Sequence, residues 1–309
     1  MKYTLFIHTN HRQTVPTKVG EYSFRKMTRN ADKFDIRILW VHDFLALSNR
    51  HGQLYLREGK RVPWNMNDPL SFAPLRFLPP QLMNYEGRAI VVDPDVFALA
   101  DIYELFTRNM GGKAILCRRV ESPAKAGYYT SSIILLDCCR LRHWNWEKNL
   151  DEMFSFKRDL WLWMCLKLEP PESVGTFEAE WNNLDTLTDR TRILHNTCRM
   201  TQPWKTGLVL DFMSEALEQR LSKKWGIIPR SWIHRVRSLI EQKPYFPLGI
   251  FRPHPDSKQE RLFFTLLAEA VELGIITRDE ITAEIENGNV RPDAISLLDQ
   301  IFAKGFILR

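Results

Sequence analysis

Apolar runs separated by polar breaks divide the first two-thirds of this chain into strands and helices. Tyr3 to His8 is a short, nearly continuous apolar run that predicts a buried strand, ending in the polar loop Thr9-Asn10-His11-Arg12. A helical stretch follows around Val19 to Arg29, and Phe34 to Val41 alternates into a second strand. Strand, helix, strand in that order starts a parallel sheet. Residues 49 to 71 are polar and irregular, punctuated by Gly52, Gly59, Pro63 and Pro69, and read as a mobile loop. Phe72 to Tyr85 reads as helical with an interruption at Pro79-Pro80. Arg88 to Val92 is a strand whose centre is wholly apolar, and it runs straight into Asp93-Pro94-Asp95. Lys113 to Arg118 and Ser132 to Leu136 supply further strands, Asn149 to Leu168 an aromatic-rich helix, and Arg192 to Leu194 a short strand capped by His195.

The pattern changes near Trp225. Ser257 to Leu273 and Arg291 to Ala303 carry helical periodicity, with Gly274 and Gly305 as C-terminal stops. The expected organisation is an α/β unit over residues 1–224, with a mixed, mostly parallel Rossmann-like sheet flanked by helices, and a helical C-terminal extension over 225–309.

Composition changes this picture little. A 309-residue chain that is 44% hydrophobic and 26% charged has material for a substantial core. Ten Trp and 18 Phe are explained first as core, and second as rings lining a cleft. The net charge of +6 is a weak bias toward anionic partners, without the dense basic tract that would motivate nucleic-acid binding. Five cysteines, odd in number and without Cys-x-x-Cys spacing, argue against a disulfide framework or a structural zinc site, so a reduced, cytoplasmic protein is expected. The N-terminal apolar run is too short for a signal peptide, and no run reaches the roughly 18 residues of a membrane span. Trp225, Trp232, Arg235 and Arg237 form an aromatic–basic cluster. It fits peripheral contact with the inner membrane face, although a packed helix with a solvated side is the more common explanation of such a cluster.

The chemistry concentrates where the apolar strand ends. Ligands of open α/β sheets collect at the carboxyl ends of strands, and here one strand delivers two carboxylates, Asp93 and Asp95, with Pro94 stiffening the link. Two aspartates at that spacing offer hard oxygen ligands to Mg²⁺ or Mn²⁺, which in turn neutralises a diphosphate. A bare Asp-x-Asp also makes turns and helix caps; Asp101, shortly after, reads as a cap for a helix from Ile102 to Thr107.

Context sharpens the reading. Arg76-Phe77-Leu78-Pro79-Pro80, the strand into Asp93-Pro94-Asp95, and Asp101-Ile102-Tyr103-Glu104-Leu105 resemble the donor-site segment of GT-A-fold glycosyltransferases, in particular the family 8 type and its bacterial relatives. Downstream, Ser131 to Asp137, Glu180-Trp181-Asn182, Leu194-His195-Asn196-Thr197 and Gln202-Pro203-Trp204 resemble that family's later segments in the same order. The resemblance covers residues 3 to 212 and has no counterpart for the helical tail.

It implies a metal-dependent glycosyltransferase using a nucleotide-sugar donor, a UDP-sugar foremost, and a glycan or lipid-linked acceptor, as in polysaccharide biosynthesis, with retention of configuration. Asp93, Asp95 and His195 would hold Mn²⁺ or Mg²⁺, with Asp93 also near the ribose. Arg76 would sit near the donor phosphates or sugar, and Thr9 and Asn10 near the base and ribose. The family's glycine after the histidine and its lysine before Pro-Trp are replaced by Cys198 and Thr201-Gln202, leaving Arg199 or Lys205 to supply the charge. Asn182 and Asp185 are candidates beside the sugar or acceptor. Glu180 is a base only for an inverting variant. Two rivals stand beside this reading. A sugar-phosphate nucleotidyltransferase would want a Gly-rich first loop, which Thr9 to Arg12 lacks. A non-catalytic carbohydrate- or lipid-binding protein would not need all three metal ligands.

Overall fold

In a computed structural model, residues 2–122, 125–211, 224–225, 228–229 and 249–304 are described. Strands β1 (Tyr3–Thr9), β2 (Asp35–Trp40), β3 (Leu54–Arg57), β4 (Lys60–Pro63), β5 (Arg88–Val92), β6 (Val96–Ala98), β7 (Ile115–Ser122), β8 (Lys125–Asp137), β9 (Val174–Thr176), β10 (Asn183–Leu184) and β11 (Ile193–His195) form the frame. The main sheet runs β2-β1-β5-β8-β7-β9. β1 pairs parallel with both β2 and β5, β8 is antiparallel to β5 and β7, and β9 is parallel to β7. One reversed strand in six makes this a mixed, mostly parallel α/β sheet, as expected. A second sheet, β10-β11-β6, pairs β6 antiparallel with β11, with Val96 opposite His195.

Side-chain alternation sorts the sheet into two faces. Phe6, Ala89, Val91, Ile115, Ile134 and Leu136 point to one side, where Phe77, Trp144, Trp146, Met153 and Trp163 cover them. Leu5, Ile7, Ile90, Val92, Ile133 and Leu135 point to the other, beneath Phe24, Ile102, Phe106, Trp181 and Ile193. Most of the tryptophans are therefore core, buried where large flat rings fill the space between layers.

Helix α1 (Thr14–Met27) is apolar on both sides, and this fixes where the tail goes. Phe24 faces the sheet, while Val15, Val19 and Tyr22 face Phe263, Phe264, Leu267 and Ala270 of the helix Ser257–Glu272. The described C-terminal helices thus share a core with α1, Phe97 and Trp204. Gly20 allows α1 its close approach to β6, because a Cβ there would lie 2.8 Å from the Val96 carbonyl oxygen.

Three segments differ from expectation. Residues 49 to 71 contain the β3–β4 hairpin, with Tyr55, Trp64 and Met66 buried in the core. Its turn, Glu58-Gly59, has positive φ at both residues (53° and 72°), and Gly59 N–H donates to Asp159 Oδ2 at 2.8 Å. The helix expected over Asn149 to Leu168 is two helices, Trp146–Phe154 and Leu160–Met164. Phe156, at φ 65°, breaks the first, and Asp159 caps the second by accepting from Trp161 N and Leu162 N. The helix Arg278–Glu286 is not among the expected elements, although Thr277 and Glu280 form a capping box at its start. The helix expected over Ile102 to Thr107 is Tyr103–Phe106 with Ile102 at its N-cap, and Asp101, one residue earlier, accepts from Tyr103 N at 2.9 Å. Trp232, Arg235 and Arg237 lie outside the described residues. So do the side-chain surroundings of Trp225, which lies in the two-residue strand Lys224–Trp225. Among the described residues no helix is long and apolar enough to cross a membrane. All five cysteines are free thiols.

Candidate functional site

β5 and β11 bring the metal-ligand candidates together. Asp93 follows β5 directly, its N–H donating to Ser132 O at 3.0 Å, and Asp95 leads into β6. β6 pairs with β11, so His195 is delivered opposite Val96, and Asn196 N–H donates to Asp95 O at 3.0 Å. One ligand atom from each of Asp93, Asp95 and His195 lies within 4.8 Å of the others, and all three residues are buried.

Each member is held by a neighbour that does not itself complete the cluster. Arg76 Nη2 reaches both oxygens of Asp93, at 2.7 and 2.6 Å, while Arg76 Nη1 donates to Ser131 Oγ at 3.1 Å. His8 Nε2 lies 2.8 Å from Asp93 Oδ1. Strand register explains that contact: Phe6 is opposite Val91, so two residues on, His8 stands beside Asp93 on the same face. Burial lowers the His8 pKa against the pull of Asp93, and Arg76 Nε donates to the same His8 Nε2 at 3.1 Å. Burial alone would raise the Asp93 pKa, but Arg76 and His8 outweigh it and hold the carboxyl far below its ordinary range.

Asp95 is held on one side only. Gln202 Nε2 donates to Asp95 Oδ2 at 3.0 Å, whereas Asp95 Oδ1 is buried with no hydrogen-bond partner among the described residues. The atom nearest to completing it is His195 Nε2, at 3.3 Å. Behind His195, Nδ1 meets Asn182 Oδ1 at 3.1 Å, and Asn182 Nδ2 donates to Ser132 Oγ at 3.1 Å. The second bond orients the Asn182 amide so that its oxygen faces the ring. His195 therefore carries a proton on Nδ1, and Nε2 is the ring nitrogen turned toward Asp95. Burial lowers the His195 pKa, but Asp95 and Asp93 outweigh it and raise the value.

Asp95 Oδ1 and His195 Nε2 thus face one another in a buried site, with an Asp93 carboxylate in range. Arg76 balances only one of the two carboxylates. A divalent cation fits this donor set in charge and in ligand type: two carboxylates suit Mg²⁺ and Mn²⁺, and the imidazole shifts the preference toward Mn²⁺.

The remaining candidates separate into two groups. Lys205 is buried with Nζ 2.6 Å from Asp211 Oδ2, Arg12 Nη1 lies 3.9 Å from the same oxygen, and Arg199 is under the electrostatic influence of both Asp211 and Asp95. Burial lowers the pKa of Lys205, and Asp211 opposes that shift. Thr9 and Asn10 are at the end of β1, but their side chains turn inward. Thr9 Oγ1 bonds Thr17 Oγ1 at 2.7 Å, and Asn10 Oδ1 caps the following turn by accepting from Arg12 N at 3.1 Å. Asp185 holds the 195–198 turn, accepting from Cys198 N at 2.9 Å, and burial raises its pKa. Sequence reasoning missed His8, Gln202 and Ser131 as site residues. The signal for His8 was its place in the pleat, which becomes informative once the register is known.

No protein-family model matches this chain, and no curated protein matches it. Solved structures similar to it include glycosyltransferase GlyE of Streptococcus pneumoniae, at 12% identity over 89% of this chain and 64% of that one, with a TM-score of 0.47. An active-site mutant of LgtC matches at 13% identity over 83% of this chain and 99% of that one, TM-score 0.46. Mouse xyloside xylosyltransferase 1 matches at 13% over 64% and 98%, TM-score 0.43.

Proposed function

We propose that this chain is a divalent-metal-dependent glycosyltransferase that moves a sugar from a nucleotide-sugar donor, a UDP-sugar foremost, to a glycan or lipid-linked acceptor. The observation that carries the reading is the buried Asp93, Asp95 and His195 cluster at the carboxyl end of a central strand, with Asp95 Oδ1 lacking any partner among the described residues. The three residues would hold Mn²⁺ or Mg²⁺, and the cation would neutralise the diphosphate of the donor.

The chain's own groups do the rest. Arg76 and His8 fix the Asp93 carboxylate, Gln202 fixes Asp95, and Asn182 fixes the His195 ring. These are positioning roles, and Asn182 belongs with them, since its side chain is buried behind His195. Arg199 and Lys205 supply positive charge toward the departing nucleoside diphosphate, the electrostatic part of the catalysis. Retention of configuration follows from the resemblance of the sequence segments. Cytoplasmic residence, with contact at the inner membrane face, is part of the same proposal.

The test is a thermal-shift panel of UDP, GDP, CMP and their sugar conjugates, each with and without Mn²⁺, on the wild type and Asp95→Ala. Ligands that bind only the native state raise its melting point by mass action. A metal-dependent shift with one nucleotide, lost in the variant, is the expected result. A wild type that no nucleotide shifts under any metal overturns the reading.

A further inference from the structure

The helix Ser257–Glu272 buries Phe263, Leu267 and Ala270 against α1, and the same stripe carries a glutamine one turn earlier. Gln259 has no exposed surface. An amide buried on an apolar stripe needs a partner for its oxygen and another for its nitrogen, because a polar group left unpaired there is costly. Both partners lie beside β11. Gln259 Oε1 accepts from Asn196 Nδ2 at 2.6 Å, and Gln259 Nε2 donates to Asp185 O at 2.9 Å.

Those two residues flank a metal-ligand candidate. Asn196 directly follows His195, and its N–H donates to Asp95 O at 3.0 Å, so one residue links the main chains of two ligands. Its side chain is buried, with Oδ1 lacking a hydrogen-bond partner among the described residues and Nδ2 held by Gln259. On the other side, Asp185 N–H donates to His195 O at 2.9 Å, and the Asp185 carboxylate accepts from Cys198 N at 2.9 Å. Gln259 therefore spans the turn, gripping the residue after His195 and the residue whose backbone pairs with it. His254, shortly before the helix, places Nε2 4.0 Å from Asp185 Oδ1. Other contacts of the tail fall further along the same segment: Arg252 N–H donates to Met200 O and Arg291 N–H to Trp204 O, each at 2.8 Å. Those fasten the loop, whereas Gln259 acts on the residue next to His195.

We infer that Gln259 is a positioning residue of the metal site, acting through Asn196 on Asp95 and His195, and that the C-terminal helices complete that site. This rests on the reading of Asp93, Asp95 and His195 as metal ligands. Without Gln259 the Asn196 amide is free to turn, and the strand end that carries His195 loses a hold on its angle to β6. The ring and the Asp95 carboxylate then converge less well on one point. A partner directly behind a metal-binding histidine is worth about 10–100-fold in metal affinity. Gln259 stands one hydrogen bond further back, so the expected loss is about tenfold, the lower end of that range.

The experiment is Mn²⁺ titration of the full chain followed by electron paramagnetic resonance, beside thermal melting with and without nucleotides. It compares wild type, Gln259→Met, Asn196→Ala, the double variant and Leu267→Ala. Methionine keeps the unbranched shape of glutamine without its amide. Alanine at 196 breaks the same link from the other end and carries the test if methionine at 259 prevents folding. Leu267 is buried on the same helix in the core shared with α1, so truncating it lowers stability without touching the turn. Each of Gln259→Met and Asn196→Ala is expected to weaken Mn²⁺ about tenfold, and the double variant to bind no more weakly than the weaker single, as residues acting through one link are not additive. Leu267→Ala is expected to melt lower yet bind Mn²⁺ like wild type. Unchanged Mn²⁺ binding in either single variant overturns the inference, as does an additive loss in the double variant or an equal loss in Leu267→Ala. A wild type that binds Mn²⁺ in the expected pattern but is shifted by no nucleotide overturns the transferase reading alone. A wild type that binds no Mn²⁺ overturns both.

Discussion

Replacing Asn182 by leucine removes an amide that is buried with no exposed surface and puts an apolar side chain with the same branching in its place. Two partners lose their bonds, His195 Nδ1 and Ser132 Oγ. A buried polar group left unsatisfied costs about 1–3 kcal/mol, and Ser132 Oγ retains its contact with Thr130 Oγ1 at 2.7 Å, so the sum is about 2–4 kcal/mol. For a chain of this size each kcal/mol lowers the melting temperature by about 2–3 °C, giving a drop of roughly 4–12 °C. The same change frees the His195 ring to take the other tautomer or to rotate. Removing a partner behind a metal-binding histidine typically weakens the metal about 10–100-fold. Asn182→Asp is the control, because its carboxylate keeps an acceptor toward Nδ1. Mn²⁺ titration followed by electron paramagnetic resonance, beside calorimetric melting, reads both quantities. Leucine weakening Mn²⁺ by a decade or more, with aspartate retaining tighter binding than leucine, is expected. If leucine melts like wild type and binds Mn²⁺ equally well, the Asn182–His195 contact does not orient the ring.

Two further predictions follow from charges held in the fold. Arg76→Met leaves Asp93 as a buried carboxylate without its bidentate partner, and such a loss costs about 3–5 kcal/mol, readable by urea denaturation at neutral pH; an unchanged midpoint would show that the pair contributes nothing. Asp101 accepts from Thr28 Oγ1 and Asn30 Nδ2, and these bonds, with those from Tyr103 N and Arg29 N, outweigh burial and hold its pKa below the ordinary carboxylate range. A depressed carboxylate contributes stability above its unfolded pKa and loses it as pH falls through the folded one. Asp101→Asn is therefore expected to cost about 1 kcal/mol at neutral pH, with the gap to wild type closing as pH falls below the unfolded aspartate value of about 3.9. A gap that stays constant to low pH would mean that the ionised form is not what stabilises the loop.

The sequence alone determined the features that depend on local pattern. A run such as Ala89 to Val92 can only be buried as a strand, and polar Asp93-Pro94-Asp95 must then lie where the strand leaves the core. Asp101 accepts from the backbone only two residues on, a local contact. The β3–β4 hairpin escapes a reading of the sequence because its turn uses Glu58-Gly59, and glutamate is not a residue whose presence announces positive φ. The break at Phe156 is likewise a left-handed residue of a type that rarely adopts that conformation.

Tertiary structure decided what depends on register and on which elements meet. His8 stands beside Asp93 only because Phe6 pairs with Val91, and a slip of one residue would turn it to the other face. Arg76, from a turn well upstream of Asp93, closes on it because its short helix covers the same face of the sheet. Asn182 reaches His195 through the pairing of β10 with β11. The described C-terminal helices sit where they do because α1 has apolar residues on both sides and gives them a face to bury against. Periodicity marks which residues are buried, but the partners of a buried polar group are set by contacts between distant segments, and those exist only in the folded chain.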